Sequence, residues 1–250
     1  MPLKQHLLEL RKRLVIAAAA IVVGSVGCWF LVKPVFTVLI APIAEAAKLN
    51  HRDVALNFQG LTSSFDIEIQ LAITMGVVLT SPVWLYQVWA FIVPGLKRRE
   101  KRYAYAFLGS AIPLFLVGCW VGWTLLPRLV LLLTSFSPER STSFISADDY
   151  VTFVTKLMIA VGIGFVLPVF LVLLNFIGIL AAKTILKGWR VAVLLVVVFA
   201  AIVTPSADII SMFALALPII ALYFIAALIA HLHDRAAAKR LDAFSAEIAV

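Results

Sequence analysis

The sequence predicts an all-α polytopic membrane protein with six transmembrane helices, arranged as one membrane domain with both termini in the cytoplasm. Three observations carry this reading. Hydrophobic residues make up 63% of the chain and its mean hydropathy is +1.07, whereas a soluble domain is about 45–50% apolar. A body of 250 residues has too much surface to hide that excess in one core, and lipid removes the conflict. The charged residues, 14% of the chain, fall in clusters between long apolar runs, a pattern of loops and spans rather than of disorder or fibre. Finally, the basic residues are unevenly shared between alternate loops. Fifteen Lys and Arg lie in the segments around 4–13, 97–102, 183–190 and 235–240, against five (Lys33, Lys48, Arg52, Arg128 and Arg140) in the others. The positive-inside rule places the richer side in the cytoplasm, and an even number of spans puts both ends there. The formal net charge of +8 therefore reads as membrane topology and not as a nucleic-acid surface.

Each span needs ~20 mostly apolar residues. The first is read at 14–32, behind a basic start. Its 19 apolar residues exceed the ~7–15 of a secretory signal core, so it is expected to remain uncleaved. The others are read at 69–93, 103–126, 150–180, 191–203 and 209–230, with a cytoplasmic tail over 231–250. Pro82, Pro113, Pro168 and Pro218 stand inside four of these runs. Each removes a backbone hydrogen bond and is expected to kink its helix, which favours curved walls over straight rods. Gly118 and Gly122 fit a small-residue helix crossing. The fifth run is short, 13 residues or about 20 Å, against a hydrocarbon core of about 30 Å. Either Trp189 and Arg190 dip inward, or the bilayer thins beside the hairpin, or the segment is buried in the bundle centre.

Chemistry-bearing residues are few. The sequence implies no catalytic centre, no cofactor and no metal site. His6, His51, His231 and His233 lack companions at ligand spacing. Gly178 to Thr184 approximates a phosphate loop, but Ala182 replaces its second glycine and no strand precedes it. Cys28 and Cys119 read as small buried side chains. Trp84, Tyr86, Trp89, Trp123, Tyr150 and Trp189 read as interface anchors. Asp66, Glu68, Asp148, Asp149 and Asp208 precede inward-running helices, where a helix N-terminus favours negative charge, and Ser63 and Ser146 stand three residues ahead of Asp66 and Asp149 as in capping boxes. Lys156 either snorkels from span four or lines a wet cavity. Pro42 and Pro82 join Asp208 and Lys156 as candidate structural or functional positions.

Two acids stand within the basic face, Glu9 and Glu100. Glu9 has a local partner in Arg13 at i,i+4. The alternative is that each carboxylate accepts an arginine from a partner in a bidentate fork, which discriminates against lysine.

At this point the motifs resemble a known family. His6-Leu7-Leu8-Glu9-Leu10-Arg11-Lys12-Arg13-Leu14 resembles the amino-terminal signature of the TatC family, the core receptor subunit of the twin-arginine protein translocase. The run from Ser81-Pro82-Val83-Trp84 to Phe91-Ile92-Val93-Pro94-Gly95-Leu96, followed by Glu100, is a second and more specific match. Phe165, Leu167-Pro168-Val169, and Thr204-Pro205-Ser206 with Asp208 are further ones. The resemblance implies a receptor for folded proteins carrying a signal peptide with paired arginines, bound by Glu9 and Glu100 with Phe91 in the same loop. It implies a curved six-helix fold in the bacterial cytoplasmic membrane and a homo-oligomeric receptor complex. TatA/TatB-type single-span subunits would dock along spans five and six, near Thr204, Ser211 and Met212. Transport would draw on the proton-motive force, without nucleotide hydrolysis. Two positions depart from the pattern. Val166 stands where many members carry Glu or Gln, and Met212 where many carry Gln. Outside the resemblance, kinked helices and Lys156 leave a small secondary transporter as the alternative function, and a passive assembly scaffold as a third.

Overall fold

The computed structural model describes residues 3–49, 55–58, 60, 62–92, 101–135, 144–204 and 209–248. In chain order the helices are α1 (Leu3–Cys28), α2 (Val32–Leu49), α3 (Ser63–Leu79), α4 (Ser81–Ile92), α5 (Lys101–Ser135), α6 (Ala147–Phe176), α7 (Ala182–Lys187), α8 (Trp189–Val203) and α9 (Ile209–Ile248). A 3-10 turn over Trp29–Leu31 joins α1 to α2. Two three-residue strands, β1 (Ala55–Asn57) and β2 (Phe144–Ser146), pair in parallel, Ala55 opposite Phe144 and Asn57 opposite Ser146. They tie two loops together and leave the all-α character intact. Among the described residues, four helical stretches are long and apolar enough to cross a membrane, Lys4–Ala41, Phe107–Val130, Ala147–Phe176 and Met212–Ala236. The pair α3 and α4 makes a fifth if counted as one broken span. The 15-residue α8 is the sixth apolar segment.

The chain clusters into two compact units, Met1–Pro94 with Phe115–Gly162, and Gly95–Leu114 with Ile163–Val250. In the first, α1 packs along α3 and α4. Glycine permits this close approach. A Cβ on Gly76 would lie 2.7 Å from the Ser25 backbone nitrogen, and one on Gly24 would lie 2.5 Å from the Thr80 methyl. Where α5 meets α6, a Cβ on Gly122 would come 3.3 Å from Met158 Cα, and one on Gly162 would meet the Phe115 ring and the Cys119 sulfur. The expected small-residue crossing is therefore made by Gly122 against α6. Phe115, Leu126, Val151, Val154 and Leu157 are among this unit's most deeply buried side chains. Cys28 and Cys119 are buried and unpaired as disulfides.

In the second unit, Ala182 and Ile185 of α7 pack with Tyr223, Ala227 and Ala230 of α9. The Tyr223 hydroxyl donates to the Ile185 carbonyl at 2.6 Å, supplying a buried phenol with the partner it needs.

Several expectations from sequence need correction. Span two is not one kinked helix. It breaks at Thr80 into α3 and α4, bent by 63°. Pro82 stands in the first turn of α4, where its missing N–H costs nothing. By contrast, α5, α6 and α9 run on through Pro113, Pro168 and Pro218. Span four ends at Phe176 rather than 180, because Gly178 takes a φ of +78° and the Ile179 and Leu180 N–H groups fold back to the Leu174 carbonyl at 3.0 Å. Gly178 thus ends a helix rather than opening a phosphate loop. Of the aromatics named as interface anchors, two are buried and a third, Trp84, is half-buried. Trp89 and Tyr150 are buried, the latter donating to the Leu39 carbonyl at 2.7 Å. Trp84 donates its indole N–H to the Val77 carbonyl at 2.8 Å and stands edge-on to Phe115, bracing the bend between α3 and α4. The Ser63 capping box is not formed either. Thr62 is the N-cap of α3, and Ser63 donates to the Gly60 carbonyl instead. Ser146 is reached by the Asp149 N–H, at 3.5 Å.

Candidate functional site

Residues 6, 9 and 13 are spaced i, i+3, i+7, so they share one face of α1. Residues 87 and 91 are spaced i, i+4 and share one face of α4. These two faces meet in antiparallel register. The His6 ring stacks on the Phe91 ring, with centroids 4.5 Å apart and planes at 23°. One to two turns along, Arg13 reaches both Glu9 and Gln87. Its Nη2 and Nε donate to Glu9 Oε1 at 2.6 and 3.1 Å, and its Nη1 donates to Gln87 Oε1 at 3.5 Å.

The electrostatics are asymmetric. Glu9 is the one acid in α1, on a helix that also carries Lys4, Arg11 and Lys12, all exposed. Glu9 and Arg13 are only partly exposed, at 27% and 23% of their side-chain areas. A carboxylate in that setting attracts a cation strongly, and the nearest guanidinium has taken it. Of the two readings of Glu9, the local i,i+4 pair is the one present in this structure. It does not use up the carboxylate, because both Arg13 bonds converge on a single oxygen. Arg13, expected from sequence as the local partner of Glu9, completes the cluster with His6 and Gln87, neither of which has a role there by sequence reasoning alone. Their shared-face spacing was the available signal, but it becomes informative only once α1 and α4 are known to be neighbours. Glu100 lies outside the described residues, as does Asp208.

The remaining candidates are placed as follows. Phe91 is half-buried at the end of α4. Thr204 is buried at the end of α8, its hydroxyl donating to the Ala200 carbonyl at 2.9 Å. Its backbone N–H bonds the same carbonyl, so Thr204 terminates α8. Met212 is half-buried in the first turns of α9, and for Ser211 and Pro42 only the helical backbone is described. Lys156 is exposed on α6. Val166 is half-buried on the same helix.

Sequence reasoning overlooked a second polar cluster. Asp234 of α9 accepts the Asn175 side-chain amide on Oδ1 at 2.9 Å and the Ala182 N–H on Oδ2 at 2.8 Å. The same Asn175 nitrogen donates to the Leu180 carbonyl at 2.9 Å. One carboxylate thereby fixes the turn between α6 and α7 and caps α7, whose own N-cap, Ala181, offers no side-chain oxygen.

Comparison with known proteins agrees with this architecture. The family model for the Sec-independent protein translocase protein (TatC) matches residues 5–218. The TatC of Xylanimonas cellulosilytica is 49% identical over 240 residues, covering 96% of this chain and 87% of the relative. TatCy of Bacillus subtilis is 35% identical over 241 residues, covering 96% and 92%. Two crystal structures of the twin-arginine translocase receptor TatC superpose on the chain. One has a TM-score of 0.77 at 32% identity, covering 91% of this chain and 98% of that one. The other, in the detergent DDM, has a TM-score of 0.79 at 31% identity, covering 90% and 99%. A shared fold, motifs matched in order and a family model spanning most of the chain leave one assignment: the protein belongs to the TatC family of Sec-independent protein translocase subunits.

Proposed function

We propose that the chain is the receptor of its translocase, binding leader peptides with paired arginines at the face where α1 meets α4. The observation that supports this most directly is the convergence of Glu9, Arg13 and His6 with Gln87 and Phe91. The cluster offers a carboxylate oxygen, an amide oxygen and an aromatic ring within one patch of an otherwise cationic helix. A guanidinium finds its planar fork matched by such oxygens and its flat face matched by a ring. An ammonium group finds only a charge. Glu100, near in sequence to Phe91, is the expected second carboxylate. The solved neighbours bear the description of twin-arginine translocase receptor, which supports the same reading.

On this reading α1 begins and α9 ends in the cytoplasm, in a bacterial cytoplasmic membrane. The chain works as an assembly with single-span Tat subunits and with further copies of itself, and transport draws on the proton-motive force. The partners' surface is α8 with the start of α9. Val191, Leu194, Leu195, Val198 and Ile202 form an exposed apolar stripe along α8. Beside it lies a groove of about 540 Å³, bordered by Leu171, Ile185, Val191, Leu195 and Tyr223.

The test is binding of an Arg-Arg leader peptide to the purified chain. Glu9→Gln is expected to weaken it by about tenfold or more, since a charge-assisted hydrogen bond is worth about 1.5–3 kcal/mol. A Lys-Lys peptide should bind less tightly than Arg-Arg to the unaltered chain. Unchanged binding in both Glu9→Gln and Glu100→Gln would remove the mechanism.

A further inference from the structure

We propose that Arg13 is a resident stand-in for an incoming arginine, occupying Glu9 until a leader peptide displaces it. This rests on the reading of Glu9 as the leader's acceptor.

Three observations bear on it. The guanidinium uses two of its arms on one carboxylate oxygen, Glu9 Oε1, at 2.6 and 3.1 Å. A third arm reaches Gln87 Oε1 at the longer distance of 3.5 Å. Arg13 therefore satisfies the same two acceptors a ligand arginine would seek, yet does so side-on, without the two-oxygen fork that makes such pairs strong. It also comes from the same helix as Glu9, four residues on, in the geometry whose pairs are individually weak. A half-buried carboxylate left empty would be costly, and a carboxylate held by a perfect fork would be closed to any ligand. Arg13 does neither. The His6 ring lies on Phe91 in the same way, so the aromatic side of the patch is covered by a resident group as well.

Exchange then follows a simple sequence. The side chain of Arg13 swings from Glu9, the ligand guanidinium takes its place, and the number of charge-assisted bonds at the carboxylate is conserved. Displacement lowers affinity by the same factor for any ligand that uses Oε1. Arg13 thus sets how tightly leaders bind, while the choice between arginine and lysine stays with the geometry of the acceptors.

Fluorescence anisotropy of a labelled Arg-Arg leader peptide on the detergent-solubilised full chain tests this, with Arg13→Gln, Arg13→Lys, Glu9→Gln and the double variant. Arg13→Gln is expected to tighten binding by about two- to fivefold, the range for a displaced local ion pair. Arg13→Lys keeps the charge but loses the planar grip, and is expected to tighten binding by a smaller factor. In the Glu9→Gln background, Arg13→Gln should change nothing, since no occupied carboxylate remains. Weaker or unchanged binding in both Arg13 variants overturns the inference, because it makes Arg13 a positioning or inert group. If Glu9→Gln alone leaves binding unchanged, the assignment of Glu9 as the leader's acceptor fails instead.

Discussion

Asp234 has a task that no local pattern announces. Its two oxygens each accept a bond from a different part of the chain, Asn175 and Ala182, and the segment between them passes through the positive φ of Gly178. Asp234→Ala should lower stability by about 1–3 kcal/mol, the cost of leaving such donors unsatisfied, and Asp234→Asn by less, because an amide keeps one acceptor. Thermal unfolding in detergent, followed by tryptophan fluorescence, measures both. Glu9, Phe91 and the Thr204-Pro205-Ser206 motif stand out in the sequence because they lie inside contiguous motifs. Asp234 does not, since its partners are 59 and 52 residues away and its tail looks like any charged helix end. Ala181 before α7 is the one hint, a helix start without a capping side chain.

At the scale of elements, the two small-residue contacts between α1 and α3 decide how closely these helices lie. Gly76→Ala would set a methyl 2.7 Å from the Ser25 nitrogen and 2.9 Å from its Cα. Both are backbone atoms, so the helices must part, at about 1–3 kcal/mol. Gly27→Ala meets nothing within 4 Å and is expected to leave stability equal or slightly higher. Comparing the two melting temperatures separates packing from helix propensity. The broken second span is partly legible in the sequence. Pro82 marks the place, but proline alone does not say whether a helix bends or ends, since α6 and α9 run on through theirs. Thr80 decides it. Its N–H and its hydroxyl both go to the Gly76 carbonyl, while its own carbonyl accepts the Val83 and Trp84 N–H groups that begin α4.

At the scale of the molecule, hydropathy and charge suffice to locate the apolar segments, because lipid imposes one rule on every span. What they leave open is α8. Trp189 and Arg190 do join that helix, giving 15 residues, or about 22 Å, and a stripe along it is exposed. The helix remains shorter than a ~30 Å hydrocarbon core. Reconstituted protein is therefore expected to melt higher in bilayers of shorter acyl chains, with an optimum below about 30 Å thickness. Calorimetry across a lipid series measures it. The division of basic residues, fifteen against five, further predicts that single cysteines placed at 12 and at 239 react with impermeant reagents only from the cytoplasm.

The bonds from Asp234 also have a timetable. A ribosome completes α6, α7 and α8 before residue 234 exists, so the turn at Gly178 must wait for α9 to be made before its acceptor arrives. A chain halted after position 230 would still contain the apolar runs read above between 14 and 230. Its α7 would nevertheless emerge without the carboxylate that fixes where it begins, and membrane quality-control proteases should find that nascent form an easier substrate than the finished one.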